Sequence, residues 1–197
     1  KEVFNFNYKK NTRIKIAFLS GDFKGHSVSN FLYDLFKKIN KEKFELILIS
    51  NLNEIEKDKV SLKLNSFADK WFDVFNYSDL QLVQFIRSVN IDILIYLSGF
   101  TEGNRFEVVA RRCAKIQISW LGYNNSLGIK NLDYLISDRN LIKNEELGLY
   151  SEKILFMPKI WNSLTLPDKL PEINDDLRLN NSNFVFCSFN NFQKLTD

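Results

Sequence analysis

The sequence predicts an α/β protein built on a Rossmann-like, doubly wound and mainly parallel sheet. Short apolar runs alternate with amphipathic stretches along most of the 197 residues, which is the pattern of parallel strands joined by crossover helices. The segment 91–97 is almost continuously apolar, as expected of a strand that is buried on both faces of such a sheet. At this length the chain can form one domain with part of a second.

The individual elements follow from the same alternation, combined with the signals for helix starts and for turns. We expect Ser27 to cap the first helix, because serine is a favoured N-cap residue. The predicted strands are residues 13–20, 44–50, 71–75, 91–97, 115–120, 132–137 and 153–156, and the predicted helices are residues 27–39, 55–67, 79–89 and 104–113. The strand residues that we expect to be buried whatever the function are Ile16, Phe18, Ile47, Ile49, Ile93, Ile95, Ile116 and Ile118.

The character of the sequence changes near Pro158. From there to residue 183 three prolines punctuate a polar stretch, and a new apolar run begins at residue 184. We therefore predict an amino-terminal lobe at 1–158, a linker at 159–182, and the first strand and loop of a second lobe at 183–197. Because the chain opens without methionine and stops soon after this new strand, we expect it to be a piece of a longer protein.

Composition argues against several classes of protein. A net charge of +3, with no basic run interleaved with aromatic residues, does not favour a nucleic-acid partner. No apolar run has the length of a membrane span, so we expect no membrane partner. Cys113 and Cys187 lie far apart and the chain has a single histidine, so we expect no metal site and two reduced thiols in a cytoplasmic protein. Dinucleotide-binding, phosphate-loop and nucleophile-elbow motifs are absent from the sequence.

The single histidine, His26, stands where a buried strand passes through a glycine turn into a helix. Parallel sheets bind ligands at the carboxyl ends of their strands, beside helix amino termini. His26 is therefore a candidate general base, since the positive end of the helix dipole disfavours a protonated imidazole. The alternative is a histidine that only makes a hydrogen bond within its loop.

Most of the chain's seven glycines fall in segments 21–29, 98–104 and 121–128, each after a predicted strand. Together these three loops are expected to line one crevice, where glycines would allow a ligand to approach the backbone closely. Each glycine taken alone is equally compatible with an ordinary turn.

Lys194 follows a predicted strand and an asparagine-rich turn. It is a candidate contact for a diphosphate leaving group, with a solvated surface lysine as the alternative.

Taken together, these segments resemble the catalytic region of the O-GlcNAc transferase family, the SPINDLY-like protein glycosyltransferases with a GT-B fold. The resemblance covers nearly the whole chain in order, although each motif alone is weak. The matching segments are 16–32 (with Ser-Gly-Asp-Phe-Lys-Gly-His-Ser), 91–105 (with Ser-Gly-Phe-Thr-Glu-Gly-Asn-Arg), 116–128 (with Ser-Trp-Leu-Gly-Tyr), 133–134, 137–138, 150–152, 157–158 and 189–194.

The resemblance implies transfer of N-acetylglucosamine from the donor substrate UDP-GlcNAc to Ser or Thr hydroxyls of a protein or peptide acceptor, with inversion and without metal or cofactor. His26 matches the histidine that lies near the acceptor, and Lys194 matches the lysine that contacts the nucleotide diphosphate. The residues that match positions near the sugar or the donor, and that we expect to bind it, are Leu121, Gly122, Thr101, Asn191 and Gln193. Tetratricopeptide repeats usually precede this region in the family.

The sequence departs from the family pattern at three places. Phe100 stands where many bacterial relatives have histidine, residues 112–115 replace the usual Arg-Pro-Ala-Pro, and residues 124–126, which include Asn124 and Asn125, replace Pro-Gly-Thr. Because the second lobe holds most of the donor contacts in this family, we expect the fragment alone to be inactive. A same-fold transferase with another donor such as GDP-fucose, a degenerate non-catalytic peptide-binding module, and a lobe for another small ligand remain as alternatives.

Overall fold

The computed structural model describes residues 12–166 together with Glu172, Cys187 and Phe189. The chain divides into two units, Lys1–Thr165 and Leu166–Asp197, and the architecture below is that of the first. Its strands are β1 (Ile14–Ser20), β2 (Phe44–Ser50), β3 (Lys70–Asp73), β4 (Ile93–Tyr96), β5 (Ile116–Ser119), β6 (Tyr134–Ser137) and β7 (Lys153–Phe156). Its helices are α1 (Ser27–Lys38), α2 (Lys59–Asn65), α3 (Asp79–Val89) and α4 (Phe106–Val109), with 3₁₀ helices at Glu54–Glu56 and Asn144–Leu149.

The strands form one seven-stranded sheet in the order β3-β2-β1-β4-β5-β6-β7, and every neighbouring pair is parallel. The predicted doubly wound, Rossmann-like sheet is thus confirmed. From β1 the chain builds outward first through β2 and β3, and then returns to the other side of β1 as β4. The order therefore reverses between β1 and β4, where open parallel sheets form a crevice outside their carboxyl ends.

Two hydrophobic clusters cover the two faces of the sheet. The predicted core residues Phe18, Ile47, Ile49, Ile95 and Ile118 are buried in them. Leu32 and Phe36 of α1 join one cluster, while Leu82 and Ile86 of α3 join the other. Helices therefore shield the sheet from water on both faces, as doubly wound folds require.

The predicted burial of Ile116 is wrong, and Ile16 and Ile93 are only partly buried. Ile116 is 38% exposed, because it is the first residue of β5 at the amino edge of the sheet. Ile93, Ile116, Ile14 and Phe44 line an open hollow at that edge, which the helices leave uncovered. Apolar character along a strand predicts burial between two layers, but it does not show where a layer ends.

Two predicted helices are shorter in the structure. The predicted helix 55–67 is interrupted because the Asp58 side chain accepts hydrogen bonds from the amides of Val60 and Ser61, which starts α2 after the cap. The predicted helix 104–113 ends at Val109, since Arg112 has a φ of 44° and the Cys113 amide donates to the Gln117 side chain. Helix α3 and strand β7 have the predicted bounds.

Other elements agree with the predictions to within a few residues at their ends. The predicted strand at 184–189 and the residues after it lie outside the described residues, apart from Cys187 and Phe189, which are exposed. In the portion of the chain that is described, no helix combines the length and apolar character needed to span a membrane.

Candidate active site at the switch point of the sheet

The three glycine-bearing loops leave the carboxyl ends of β1, β4 and β5, which are adjacent in the sheet. The amide group of Asn51, which follows β2, donates to the Gly103 carbonyl at 2.8 Å and ties the β4 loop to that side of the sheet. The Gly122 amide donates to the Leu97 carbonyl at 2.9 Å and joins the β5 loop to the end of β4. The loops therefore form one continuous edge at the point where the strand order reverses, which is where this architecture binds ligands.

The loop after β1 is fixed by hydrogen bonds at both ends. The Asp22 amide donates to the Ser20 hydroxyl at 2.9 Å, and the Ser29 hydroxyl donates to the Asp22 carbonyl at 2.8 Å. The Gly25 amide donates to the Asp58 carboxylate at 2.7 Å. Amide donors from Ser61, Gly25 and Val60 hold the pKa of Asp58 below its usual value. The loop therefore presents its side chains from a well-supported backbone.

His26 lies at the end of this loop and is the N-cap of α1, so the predicted cap at Ser27 is wrong by one residue. Its Nδ1 accepts a hydrogen bond from the Val28 amide at 3.3 Å. His26 has the extended backbone of a cap residue, with a φ of −137° and a ψ of 155°, whereas Ser27 is already helical. The imidazole remains 44% exposed at the edge of the sheet.

The cap decides which nitrogen of His26 can act on a ligand. A neutral imidazole carries one proton, and a nitrogen that accepts a hydrogen bond must be the unprotonated one. In the cap geometry Nδ1 is unprotonated, and in the neutral ring Nε2 therefore carries the proton. In this state His26 donates a hydrogen bond through Nε2, and it has no free lone pair there to act as a base.

The loop after β4 carries Thr101, which we predict to bind the donor. Thr101 is exposed, and its hydroxyl donates to the Ser98 carbonyl at 2.6 Å. The hydroxyl proton is thus used within the loop, and the oxygen remains able to accept a hydrogen bond from a ligand. The Tyr96 hydroxyl donates to the Gly99 carbonyl at 2.8 Å and accepts from the Arg105 amide at 2.9 Å, which closes the loop at its base.

The Arg105 side chain anchors the same loop, and sequence reasoning assigned it no role. Its Nε donates to Asn51 Oδ1 at 3.0 Å, one terminal nitrogen lies 2.7 Å from the Asp79 carboxylate, and the other donates to the Phe75 carbonyl at 3.0 Å. One guanidinium therefore joins the segments that follow β2, β3 and β4. Asn51 could have been identified as a residue of this edge from the sequence, because it directly follows a predicted strand. No sequence pattern near Arg105 indicates that its side chain binds Asn51, Asp79 and Phe75.

The loop after β5 begins with a strained turn at Leu121 and Gly122. Leu121 has a φ of 81°, and the Gly122 amide reaches the Trp120 carbonyl at 3.2 Å as well as Leu97. This is the hydrogen-bond pattern of the rare γ-turn with positive φ, and such strain is found mainly at functional sites. The Leu121 side chain is buried in the core. A ligand at this position would therefore meet backbone rather than the leucine side chain.

Phe100 lies at the surface of the crevice edge and is 49% exposed. Its ring packs edge-on against Tyr123 of the β5 loop, with ring centroids 5.5 Å apart, and against Phe106 of α4 at 6.0 Å. The backbone of Gly99 passes so close to Tyr123 that a Cβ there would come closer than 3.0 Å to it. Phe100 thus forms a small aromatic surface where the β4 and β5 loops meet.

Glu152, from the matching segment 150–152, orders the far part of the β5 loop. Its buried carboxylate accepts from the Ser126 hydroxyl at 2.7 Å and from the Leu127 amide at 2.9 Å. Charge-assisted hydrogen bonds of this kind are stronger than neutral ones. The chain therefore orders this turn without the proline that the family pattern has at residue 124.

The structure brings the loops of His26, Thr101, Leu121 and Gly122 to one edge of the sheet. Lys194, Asn191 and Gln193 lie outside the described residues, so their predicted roles remain predictions. Within the described residues, no group of three or more histidine, cysteine or acidic side chains is arranged to hold a metal ion.

Known proteins resemble this chain in both sequence and fold. The model of glycosyl transferase family 41 matches residues 1–164. Two Arabidopsis thaliana proteins are each 28% identical to the chain, and both carry the name "Probable UDP-N-acetylglucosamine–peptide N-acetylglucosaminyltransferase": SEC over 191 residues and SPINDLY over 190. Each match covers 93% of this chain but only 19% of SEC and 20% of SPINDLY. The chain thus spans about a fifth of the length of these relatives.

Among solved structures, a point mutant of the Thermobaculum terrenum O-GlcNAc transferase has the same fold. The two superimpose with a TM-score of 0.73 at 29% sequence identity, over 76% of this chain and 28% of that one. This likeness and the parallel seven-stranded sheet confirm the predicted Rossmann-like lobe of a GT-B fold. With a family match over most of its length, the chain belongs to glycosyl transferase family 41, the O-GlcNAc transferase and SPINDLY-like glycosyltransferases.

Proposed function

We propose that this chain is part of an enzyme that transfers N-acetylglucosamine from UDP-GlcNAc to Ser or Thr hydroxyls of proteins. The observation that carries the proposal is the position of His26, on the first loop of the crevice at the switch point of the sheet. The names of the relatives support the donor and the peptide acceptor. Because the chain spans about a fifth of those proteins, the activity belongs to a longer form.

In this proposal the acceptor oxygen attacks the anomeric carbon of the sugar from the face opposite the diphosphate. The new bond between that oxygen and the carbon forms as the bond from the carbon to the diphosphate oxygen breaks, and the electron pair leaves with UDP. His26 orients the acceptor hydroxyl or takes up its proton. Lys194 stabilises the negative charge that develops on the leaving diphosphate. No metal or cofactor has a role in this scheme.

The remaining predicted site residues would hold the donor. The backbone at Leu121 and Gly122 and the exposed Thr101 lie at the loops that face the crevice, and the strained turn at Leu121 supports a functional role there. Asn191 and Gln193 would flank the donor from the side of Lys194. The full site would need the second lobe, and upstream tetratricopeptide repeats would be a further partner. We therefore expect the fragment alone to be inactive.

The aromatic surface at Phe100 favours a second candidate. In place of a polar histidine, Phe100 presents an apolar ring beside Tyr123, which would remove a polar contact to donor or acceptor. A protein that has lost this contact could bind peptides without transferring sugar. A transferase that uses GDP-fucose would instead keep the activity and change the donor.

A transfer assay separates these possibilities. A form extended through the second lobe is incubated with acceptor peptides and either UDP-GlcNAc or GDP-fucose, and the modified peptides are detected by mass spectrometry. We expect transfer from UDP-GlcNAc, and a loss of about 100-fold or more in rate for His26→Gln, as is typical of a lost acid–base group. Ser163→Ala, which removes an exposed hydroxyl that donates to the Phe31 carbonyl, should leave the rate unchanged.

Transfer from GDP-fucose alone would contradict the proposed donor. Peptide binding without transfer from either donor would favour the non-catalytic module.

A further inference from the structure

The β1 loop places a second titratable group beside the His26 imidazole. Asp22 Oδ1 lies 3.9 Å from His26 Nδ1, and the Asp22 side chain is largely shielded from water. This separation is too long for a hydrogen bond, and Nδ1 is engaged instead by the Val28 amide at 3.3 Å. Two groups therefore compete for the same nitrogen: an amide that needs Nδ1 unprotonated, and a carboxylate that can accept a proton from it.

The surroundings of Asp22 leave its carboxylate available for that nitrogen. The Asp22 backbone is held by hydrogen bonds to the Ser20 and Ser29 side chains. Within residues 12–166, the Asp22 carboxylate itself accepts no hydrogen bond. Burial raises the pKa of Asp22, while the charges of His26 and Lys24 lower it and that of Glu56 raises it. Lys24 is already paired with Glu56 at 2.5 Å. Among the described residues, His26 is thus the partner that remains for Asp22.

We propose that Asp22 is the positioning residue for His26, and that it selects the Nδ1-protonated form in which Nε2 is free to act as a base. This inference rests on the transferase function proposed above. It goes beyond that function because it makes Asp22 the residue that converts the His26 ring from one protonated form to the other. In the cap form, Nδ1 accepts from Val28 and Nε2 carries the proton. In the paired form, the ring turns toward Asp22, and Nδ1 donates its proton to the carboxylate in a hydrogen bond.

Only the paired form completes the proton transfer. The acceptor hydroxyl gives its proton to Nε2 as its oxygen bonds to the sugar, which leaves an imidazolium whose Nδ1–H remains hydrogen-bonded to the Asp22 carboxylate. The proton stays on the ring, and the negative carboxylate stabilises the new positive charge. Product release then allows Nε2 to return its proton to solvent. The cap form is a resting state, in which the Val28 amide holds the ring at the edge of the crevice.

The test uses the fact that the chain contains one histidine, since every imidazole signal then belongs to His26. Long-range ¹H–¹⁵N spectra of the neutral ring report which nitrogen carries the proton, and fast exchange gives the population of the two forms. We expect a measurable Nδ1-protonated fraction in the wild-type chain that disappears in Asp22→Asn. The Asn side chain keeps the shape but loses the charge, and its amide can donate to Nδ1. Glu56→Gln, which changes the charge of a neighbour without touching the ring, should retain that fraction.

A second measurement connects the two forms to catalysis. In the extended protein we expect Asp22→Asn to lower kcat by at least about tenfold, the effect of 1.4 kcal/mol on a barrier, with KM for UDP-GlcNAc unchanged. Glu56→Gln should leave both constants unchanged. Identical spectra for the wild-type and Asp22→Asn chains, or a kcat for the variant within twofold of wild type, would overturn the assignment. An inactive wild-type extended protein would instead count against the proposed function, while the spectra still decide the pairing of Asp22 with His26.

Discussion

Gly122→Ala is expected to lower the free energy of unfolding by about 3 kcal/mol, the upper range for a side chain forced into a packed site. A Cβ at this position would come closer than 3.0 Å to the backbone carbonyl of Leu97. The carbonyl cannot move away easily, because it accepts the Gly122 amide at 2.9 Å and continues strand β4. The clash is therefore relieved only by displacing the β5 loop. Urea denaturation followed by circular dichroism measures the change.

Gly148→Ala is the matched control for this substitution. Apart from its neighbours in the chain, no described residue has an atom within 4 Å of the position that its Cβ would take, so the same chemical change should alter stability by less than about 0.5 kcal/mol, as for ordinary surface substitutions. Equal stabilities for the two variants would show that the β5 loop does not pass over Leu97 as the structure has it.

Arg105→Ala is expected to cost about 2 to 3 kcal/mol and to loosen the loop that carries Thr101. The Arg105 side chain is 17% exposed, and its removal leaves Asn51, Asp79 and the Phe75 carbonyl without their shared donor. Hydrogen bonds to charged groups are each worth about 1.5 to 3 kcal/mol, and water can replace part of that loss at the exposed Phe75 carbonyl. Hydrogen exchange at the amides of residues 98–104 should accelerate together with the loss of stability.

Arg111→Ala provides the comparison for Arg105. Arg111 is exposed and reaches Glu107 only at 3.8 Å, so its removal should change stability by less than about 0.5 kcal/mol, because exposed ion pairs contribute little. If Arg105→Ala and Arg111→Ala change the free energy of unfolding by the same amount, the hydrogen bonds of Arg105 do not hold the crevice loops together.

The sequence predicted the fold well because its strands are buried between helices. A strand in that position is apolar along most of its length, so a segment such as 44–50 can be recognised without any knowledge of its neighbours. The same reasoning failed at Ile116, where the layer of helices ends and an apolar residue faces the hollow. Local patterns show which residues favour burial, but the extent of the covering layer is a tertiary property.

The site was predictable only in part for a similar reason. His26 and the glycine loops could be located because they follow strands, and parallel strands end at a common edge. The contact of Arg105 with Asp79 and the approach of Asp22 to His26 could not be predicted, since each depends on how the side chains are placed in the folded chain. The capping role of His26 was missed because serine, the next residue, is the commoner cap.

The most direct test of the transferase account is calorimetric binding of UDP to a form extended through the second lobe, with and without Lys194→Ala. We expect the wild type to bind UDP, and the variant to bind it about tenfold to a hundredfold more weakly, the effect of one charge-assisted hydrogen bond. Lys38→Ala removes an exposed lysine paired with Asp34 and should leave UDP binding unchanged. An extended wild-type protein that does not bind UDP would contradict the proposed transferase function.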